Sequence, residues 1–201
     1  RSFPDVMDMG AGFLQYAVAL LARACADDLA LLGVTLPQAD KIPAVRFDEA
    51  KRLAAEKYGR PIRDPYDLEP EEEHNIGRYF KEEYGADFVF VTHYPAKKRP
   101  FYAMDDPADP KYTLSFDLLF RGLEITTGGQ RIHDYQEQMD KLAARKMNAE
   151  LFESFTMLHK YGMPPHGGLG IGLERLTMQL LKLNNIREAS MFPRDMNRLE
   201  P

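Results

Sequence analysis

The sequence has little cysteine, no long apolar run and no excess of basic residues. Cys25 is the one cysteine among 201 residues, which excludes an internal disulfide and a metal site of clustered thiolates. No apolar run approaches the ~18 residues of a membrane-spanning helix. We therefore expect a cytoplasmic protein with no membrane partner. The net charge of −5 argues against a sequence-independent grip on nucleic acid through overall charge.

What is present is typical of a globular domain. Apolar residues make up 44% of the chain and charged residues 28%, and 201 residues suffice for one domain with a sizeable core. Helical patterns and short apolar runs follow one another without the regular alternation of a parallel βαβ sheet. The predicted class is therefore α+β, a single domain over residues 1–201 with helices packed on an antiparallel sheet.

Periodic apolar positions predict six helices, and short apolar runs predict strands. The helices are expected over 5–32, 47–58, 69–84, 134–146, 150–161 and 173–183. The strands are expected over 87–94, 115–120 and 123–127, and the glycine-rich run 167–171 is expected to form a strand or a strand-to-helix turn. A loop is expected over 95–112. We expect Asp5 to cap the first helix. We also expect the Gly128-Gly129 pair to bend the strand that precedes it.

The segment 168–175 (GLGIGLER) suggests a nucleotide site. Alternating glycines on a strand let another group approach the backbone closely. The segment then opens a helix, whose N-terminus attracts phosphate, and Arg175 adds a permanent positive charge in the first turn. Close packing of a helix on a sheet explains the same glycines, and both interpretations remain open.

The segment 124–131 (EITTGGQR) places a carboxylate, hydroxyls and an arginine close together. Glu124 and Thr126 would share one face of a regular strand. Their oxygens suit Mg²⁺, and Arg131 suits the bidentate binding of a carboxylate. The alternative is a Glu124–Arg131 salt bridge across a bend, which the spacing alone favours.

Together these segments resemble the class II aminoacyl-tRNA synthetases, in particular aspartyl-tRNA synthetases of the archaeal and eukaryotic type. The segment 168–175 is similar to motif 3 of that class. The resemblance covers nearly the whole chain, in family order and at family spacing, through segments 99–102, 115–125, 128–134, 161–168, 185–188 and 192–195.

The resemblance implies a role for each matching residue and the class II antiparallel sheet flanked by helices. Glu124 would hold Mg²⁺ and ATP. Thr127, where the family usually has serine, would lie near Mg²⁺ and the amino acid. Arg131 would pair with the aspartate side chain, and Arg175 would bind the γ-phosphate of ATP. Glu124 and Arg175 are thus the catalytic candidates, and the ATP-binding candidates are Glu124, Gly172, Leu173, Glu174 and Arg175.

The implied activity is formation of aspartyl-adenylate from aspartate and ATP–Mg²⁺, followed by transfer to tRNA. A homodimer is implied as well. The printed sequence has no counterpart of the family's motif 1, motif 2 or anticodon-binding barrel. Motif 2 supplies the other half of the family's active site.

The sequence leaves open whether the chain is a piece of a synthetase and which of three functions it has. The sequence begins at Arg1 rather than Met, as expected of a piece of a full-length synthetase. A stand-alone paralogue could instead pass aspartyl-adenylate to ammonia and act as an asparagine synthetase. A catalytically inactive paralogue would act as a binding module for aspartate, a nucleotide or a partner.

Overall fold

The computed structural model describes residues 2–200, which form a five-stranded sheet covered by helices. The α-helices of this part of the chain are α1 Phe3–Ala24, α2 Ala26–Leu31, α3 Phe47–Tyr58, α4 Pro70–Tyr84, α5 Tyr135–Ala144, α6 Glu153–Lys160 and α7 Leu173–Leu181. Its strands are β1 Ala44–Arg46, β2 Phe88–Thr92, β3 Asp105–Asp106, β4 Asp109–Thr113, β5 Ser115–Phe120, β6 Leu123–Arg131 and β7 His166–Ile171. Two short 3₁₀ turns span Ala149–Phe152 and Ile186–Ala189.

The main sheet has the order β1-β2-β5-β6-β7. The pairs β2–β5, β5–β6 and β6–β7 are antiparallel, and β1 runs parallel to β2. This arrangement confirms the predicted α+β class and the antiparallel sheet. Strand β1 was not predicted, because three residues are too few for a strand period to be visible.

Two apolar cores cover the two faces of the sheet. Alternate residues of a strand point to opposite faces, so Phe88 and Phe90 lie in one core while Val89 and Val91 lie in the other. The first core includes residues of α1 and α7, and the second includes residues of α3 and α4. Burial on both faces explains why β2 is a continuous apolar run.

Helices α3 and α4 confirm two predictions closely. Each ends at a glycine in the left-handed conformation, Gly59 at φ 63° and Gly85 at φ 67°. This backbone region is accessible to glycine at little cost, which makes glycine the favoured residue just after a helix. The predicted helices at 134–146 and 173–183 are also present, each shorter by two residues at the C-terminal end.

The first predicted helix is wrong in two respects. It is two helices, α1 and α2, interrupted at Cys25. Asp27 and Asp28 explain the break, because acidic side chains are unfavourable late in a helix and favourable in the first turn of a new one. Asp5 is not the N-cap either. Ser2 is, and the Asp5 carboxylate accepts hydrogen bonds from the Ser2 backbone N–H at 2.7 Å and from its hydroxyl at 3.0 Å.

Two other segments differ from the prediction. The expected loop over 95–112 contains the β3–β4 hairpin, in which Pro110 is tolerated because this two-stranded sheet has open edges. The expected helix at 150–161 begins with a 3₁₀ turn before α6. Among the helices of residues 2–200, none is long and apolar enough to cross a membrane.

Candidate active site

A cleft of about 470 Å³ opens over β6 and β7, beside the start of α7 and the segment 99–103. Most of the predicted site residues line it, namely Glu124, Thr127, Arg131, Gly172 and Arg175. Leu173 and Glu174 do not line this wall; their side chains are exposed on the first turn of α7. One cleft therefore brings together the segments 124–131 and 168–175.

A β-bulge in β6 decides which side chain meets Glu124. Leu118 of β5 pairs with Thr126, but the next residue, Leu119, pairs with Glu124, so one residue of β6 is left over. The extra residue reverses the alternation of faces at that point. As a result the Thr127 hydroxyl, not that of Thr126, donates to Glu124 Oε1 at 2.9 Å. The expectation that Glu124 and Thr126 share a face is wrong.

The Gly128-Gly129 pair does not bend the strand, and β6 continues to Arg131. A Cβ on Gly128 would lie 2.5 Å from the Phe116 ring, and one on Gly129 would lie 2.7 Å from the Leu114 carbonyl oxygen. These glycines are therefore required for close packing within the sheet rather than for a bend.

Glu124 forms an ion pair, but with a different arginine from the one expected. Arg175 Nη1 donates to the Glu124 backbone carbonyl at 2.7 Å and lies 3.7 Å from Glu124 Oε1. The side chains remain 44% and 33% exposed, so the pair itself adds little stability. The Glu124–Arg131 salt bridge favoured by spacing is not formed.

Arg131 has no anionic partner in the described part of the chain: among residues 2–200, no carboxylate lies within 4.0 Å of its guanidinium. The guanidinium stacks near the Tyr102 ring, 5.2 Å from the centroid. It also lies against the backbone of β7, since a Cβ on Gly168 would be 3.0 Å from Nη2. A fixed guanidinium that faces a cleft without a counter-ion is suited to bind a carboxylate through two hydrogen bonds.

Two carboxylates near the cleft were not predicted as functional. Glu73 of α4 accepts the Glu124 backbone N–H at 3.1 Å. Burial raises the pKa of Glu73 to about 7; the hydrogen bond from Glu124 opposes this, and the nearby charges of Glu124 and Asp117 add to it. Asp117 of β5 is buried, and its Oδ2 accepts from Arg99 Nη2 at 2.7 Å.

Only one of these two carboxylates leaves a signal in the sequence. Asp117 interrupts the apolar residues 116–120 of a buried strand, and a buried charge in such a run is a functional indication. Glu73 is one of three consecutive glutamates at a helix start. The interaction of such a run with the helix dipole explains it without reference to any site.

The oxygens of Glu124 and Thr127 could coordinate a cation whose other ligands are phosphate oxygens and water molecules. Within residues 2–200 no group of three or more His, Cys, Asp or Glu side chains is arranged to hold a metal by itself. Mg²⁺ in nucleotide sites is commonly held by one or two protein oxygens, with phosphates and water completing its shell. The adjacent carboxylate and hydroxyl match that pattern.

The sequence is similar to a known family over almost its full length. The family model described as tRNA synthetases class II (D, K and N) matches residues 2–196. The aspartate–tRNA(Asp/Asn) ligase of Aeropyrum pernix is 46% identical over 203 residues, which cover 100% of this chain and 46% of that protein. The ligase of the same name from Deinococcus radiodurans is 47% identical over 203 residues, which cover 98% of this chain and 46% of that protein.

Solved structures share the fold. The aspartyl-tRNA synthetase of Entamoeba histolytica superposes with a TM-score of 0.94 at 31% identity, over 100% of this chain and 42% of that one. The asparaginyl-tRNA synthetase of Pyrococcus horikoshii superposes with a TM-score of 0.90 at 30% identity, over 100% and 48%. The chain thus spans about half the length of the relatives it matches. It belongs to the class II tRNA synthetases of the D, K and N group.

Proposed function

We propose that the protein containing this chain is an aspartate–tRNA ligase, which activates aspartate with ATP–Mg²⁺ and transfers it to tRNA. The observation that carries the proposal is the guanidinium of Arg131, which pairs with no carboxylate of residues 2–200 and lines the same cleft as Arg175 and Glu124. The names of the relatives, aspartate–tRNA(Asp/Asn) ligases at 46% and 47% identity, support it.

Arg131 would bind the side-chain carboxylate of aspartate. Its fork of N–H donors matches a carboxylate, and the Tyr102 ring and the Gly168 backbone hold the guanidinium in place. Asparagine would leave the arginine without its anion. That loss should disfavour asparagine by roughly 2–4 kcal/mol.

The other end of the cleft would bind ATP. Glu124 lies seven residues before Arg131 on β6, and the bulge takes up one of them. At about 3.3 Å per remaining residue the two are roughly 20 Å apart, a span that accommodates an extended ligand. Arg175 would contact the γ-phosphate from the first turn of α7. The backbone N–H groups of that turn have no acceptor within the helix, which also favours phosphate at this position. Since the side chains of Leu173 and Glu174 are exposed, their contribution with Gly172 would come from the backbone.

In the first step the aspartate α-carboxylate would attack the α-phosphorus of ATP and release pyrophosphate. Glu124 and Thr127 would hold Mg²⁺, which neutralises phosphate charge when bound. Arg175 would balance the charge that develops on the departing pyrophosphate. The chain's contribution is mainly position and charge, because the nucleophile and leaving group both belong to the substrates. The first step would thus form aspartyl-adenylate. In the second step a hydroxyl at the 3′ end of tRNA would attack the aspartyl carbonyl of the adenylate, which would form the aspartyl ester and release AMP.

The proposal extends to assembly and location. The resemblance to aspartyl-tRNA synthetases supports a homodimer, which sedimentation of the full-length protein would test. Charging of tRNA for translation would place the protein in the cytoplasm.

The test is the exchange of labelled pyrophosphate into ATP by the full-length protein, with aspartate, asparagine or lysine as the amino acid. We expect exchange with aspartate, and exchange lower by at least one order of magnitude with the other two. Exchange driven by asparagine or lysine instead of aspartate would reject the proposal. Charging of purified tRNAAsp and tRNAAsn then identifies the acceptor.

A further inference from the structure

Glu73 is a half-buried carboxylate for which residues 2–200 offer no cationic side chain within ion-pair distance. Its neighbours on α4 differ in this respect: Glu72 pairs with Lys51, and Glu71 pairs with Arg60. A partly buried carboxylate without a cation destabilises the fold unless hydrogen bonds compensate. The hydrogen bond that the structure gives Glu73 comes from the Glu124 backbone N–H, at 3.1 Å.

The backbone of α4 is held directly against the turn that precedes Glu124. A Cβ on Gly77 would lie 2.3 Å from the Gly122 nitrogen, and one on Gly122 would lie 2.7 Å from the His74 Cα. Gly122 also has a positive φ of 78°, which favours glycine. Contact of this kind allows little movement of α4 relative to the start of β6, so the position of Glu73 relative to Glu124 is fixed.

Side chains bind both backbone polar groups of Glu124. The N–H donates to Glu73, and the carbonyl accepts from Arg175. These bonds form at the β-bulge, where the regular ladder is interrupted and the strand would otherwise be free to relax. The two side chains therefore connect the bulge to α4 on one side and to α7 on the other.

We infer that Glu73 is a positioning residue for the candidate ATP–Mg²⁺ site. Its carboxylate fixes the Glu124 peptide at the bulge and thereby directs the Glu124 side chain towards Thr127 and Arg175. The naming of ATP–Mg²⁺ as the ligand rests on the proposed function. The hydrogen bond by which Glu73 fixes the Glu124 peptide is independent of the proposed function.

Three substitutions in the full-length protein separate the hydrogen bond from the charge. Glu73→Gln keeps an oxygen acceptor and loses the charge. Glu73→Asp keeps the charge but is one methylene too short to reach the N–H, and Glu73→Ala loses both. Glu82→Gln, on the exposed side of the same helix, is the matched control.

The first readout is amide hydrogen exchange at Glu124, which requires no substrate. We expect faster exchange in Glu73→Asp and Glu73→Ala, and near wild-type protection in Glu73→Gln and Glu82→Gln. The second readout is kinetic. The variants that lose protection should raise the KM for ATP–Mg²⁺ about 10- to 100-fold, while the KM for aspartate changes less than about twofold. Glu73→Gln should restore most of the affinity.

Unchanged exchange at Glu124 in both Glu73→Asp and Glu73→Ala would overturn the inference. So would equal increases in the two KM values, which indicate general loosening rather than positioning. If the wild-type protein does not activate aspartate, the proposed function fails. The amide-exchange pattern then decides the role of Glu73 at the bulge by itself.

Discussion

Arg131 and Arg175 line the same cleft, but their surroundings differ. Arg175 bonds to the Glu124 carbonyl and lies near its carboxylate, whereas Arg131 faces the cleft without an anion in the described part of the chain. A paired arginine in this position helps to hold the site together. An arginine without a partner has its full charge available for a ligand, and this contrast underlies the assignment of Arg131 to the amino acid.

The Thr127 hydroxyl should contribute to the binding of ATP–Mg²⁺. Its hydroxyl donates to Glu124 Oε1 at 2.9 Å, and a hydrogen bond to a charged group contributes about 1.5 kcal/mol or more. Thr127→Val should therefore raise the KM for ATP–Mg²⁺ about tenfold, while Thr127→Ser, which keeps the hydroxyl, should change it little. Initial rates of pyrophosphate exchange at varied ATP measure both. Equal effects of the two substitutions on this KM would contradict a role for the Thr127 hydroxyl in binding ATP–Mg²⁺.

The residues of the site were partly predictable. Glu124, Thr127, Arg131 and Arg175 follow from the resemblance and share one cleft in the structure. Which of them bond to one another was not predictable, since the bulge in β6, opposite Leu118 and Leu119 of β5, shifts the register by one residue. A pattern of period two cannot show such a shift.

The elements were predictable where a local signal ends them. Gly59 and Gly85 stop α3 and α4 in the left-handed conformation, and the apolar runs of β2 and β5 mark buried strands. Strand β1 and the hairpin at Asp105–Thr113 were missed. Their residues are short or rich in Pro and Asp, so their pairing depends on partners that are distant in sequence or on a turn that resembles a loop.

Two glycine-to-alanine changes in helices should have opposite effects on stability. Gly77→Ala would place its Cβ 2.3 Å from the Gly122 nitrogen, and we expect a loss of about 1–3 kcal/mol from overpacking against rigid backbone. At Gly12 an added Cβ would have no atom of the described residues within 4 Å apart from its chain neighbours and the nearby backbone of its own helix. Gly12→Ala should therefore gain about 0.5–1 kcal/mol from helix propensity. Urea denaturation of both variants measures the free energies of unfolding. If both substitutions changed that free energy in the same direction, the result would contradict the packing of α4 on the turn at residues 121–122, between β5 and β6.

A buried ion pair between Lys51 and Glu72 joins α3 to α4. The Lys51 ammonium donates to the Glu72 carboxylate at 2.6 and 2.7 Å and to the Asp67 carbonyl at 2.7 Å. The two side chains are 5% and 0% exposed. Because α4 also carries Glu73, the strength of this connection matters to the site as well as to the core.

Removal of one partner of this pair should be far worse than removal of both. Glu72→Leu would leave a buried ammonium unpaired, at a cost of about 3–5 kcal/mol. The double variant Lys51→Met, Glu72→Leu should recover most of that loss, since apolar side chains of similar volume often replace a buried pair without penalty. Denaturant unfolding of the single and double variants completes the cycle. Additive losses would show that the pair does not act as a unit.

The central claim is that Arg131 recognises the aspartate side chain, and one substitution tests it most directly. The aspartate-dependent exchange of pyrophosphate into ATP should be measured for the full-length protein, for Arg131→Leu and for Arg52→Leu. Arg52 is 63% exposed on α3 and, within residues 2–200, forms an ion pair only with Glu56, which makes it the control. We expect Arg131→Leu to abolish the exchange, a loss on the order of 100-fold or more in kcat/KM for aspartate, and Arg52→Leu to match the wild type. Aspartate-dependent exchange retained by Arg131→Leu would contradict the account.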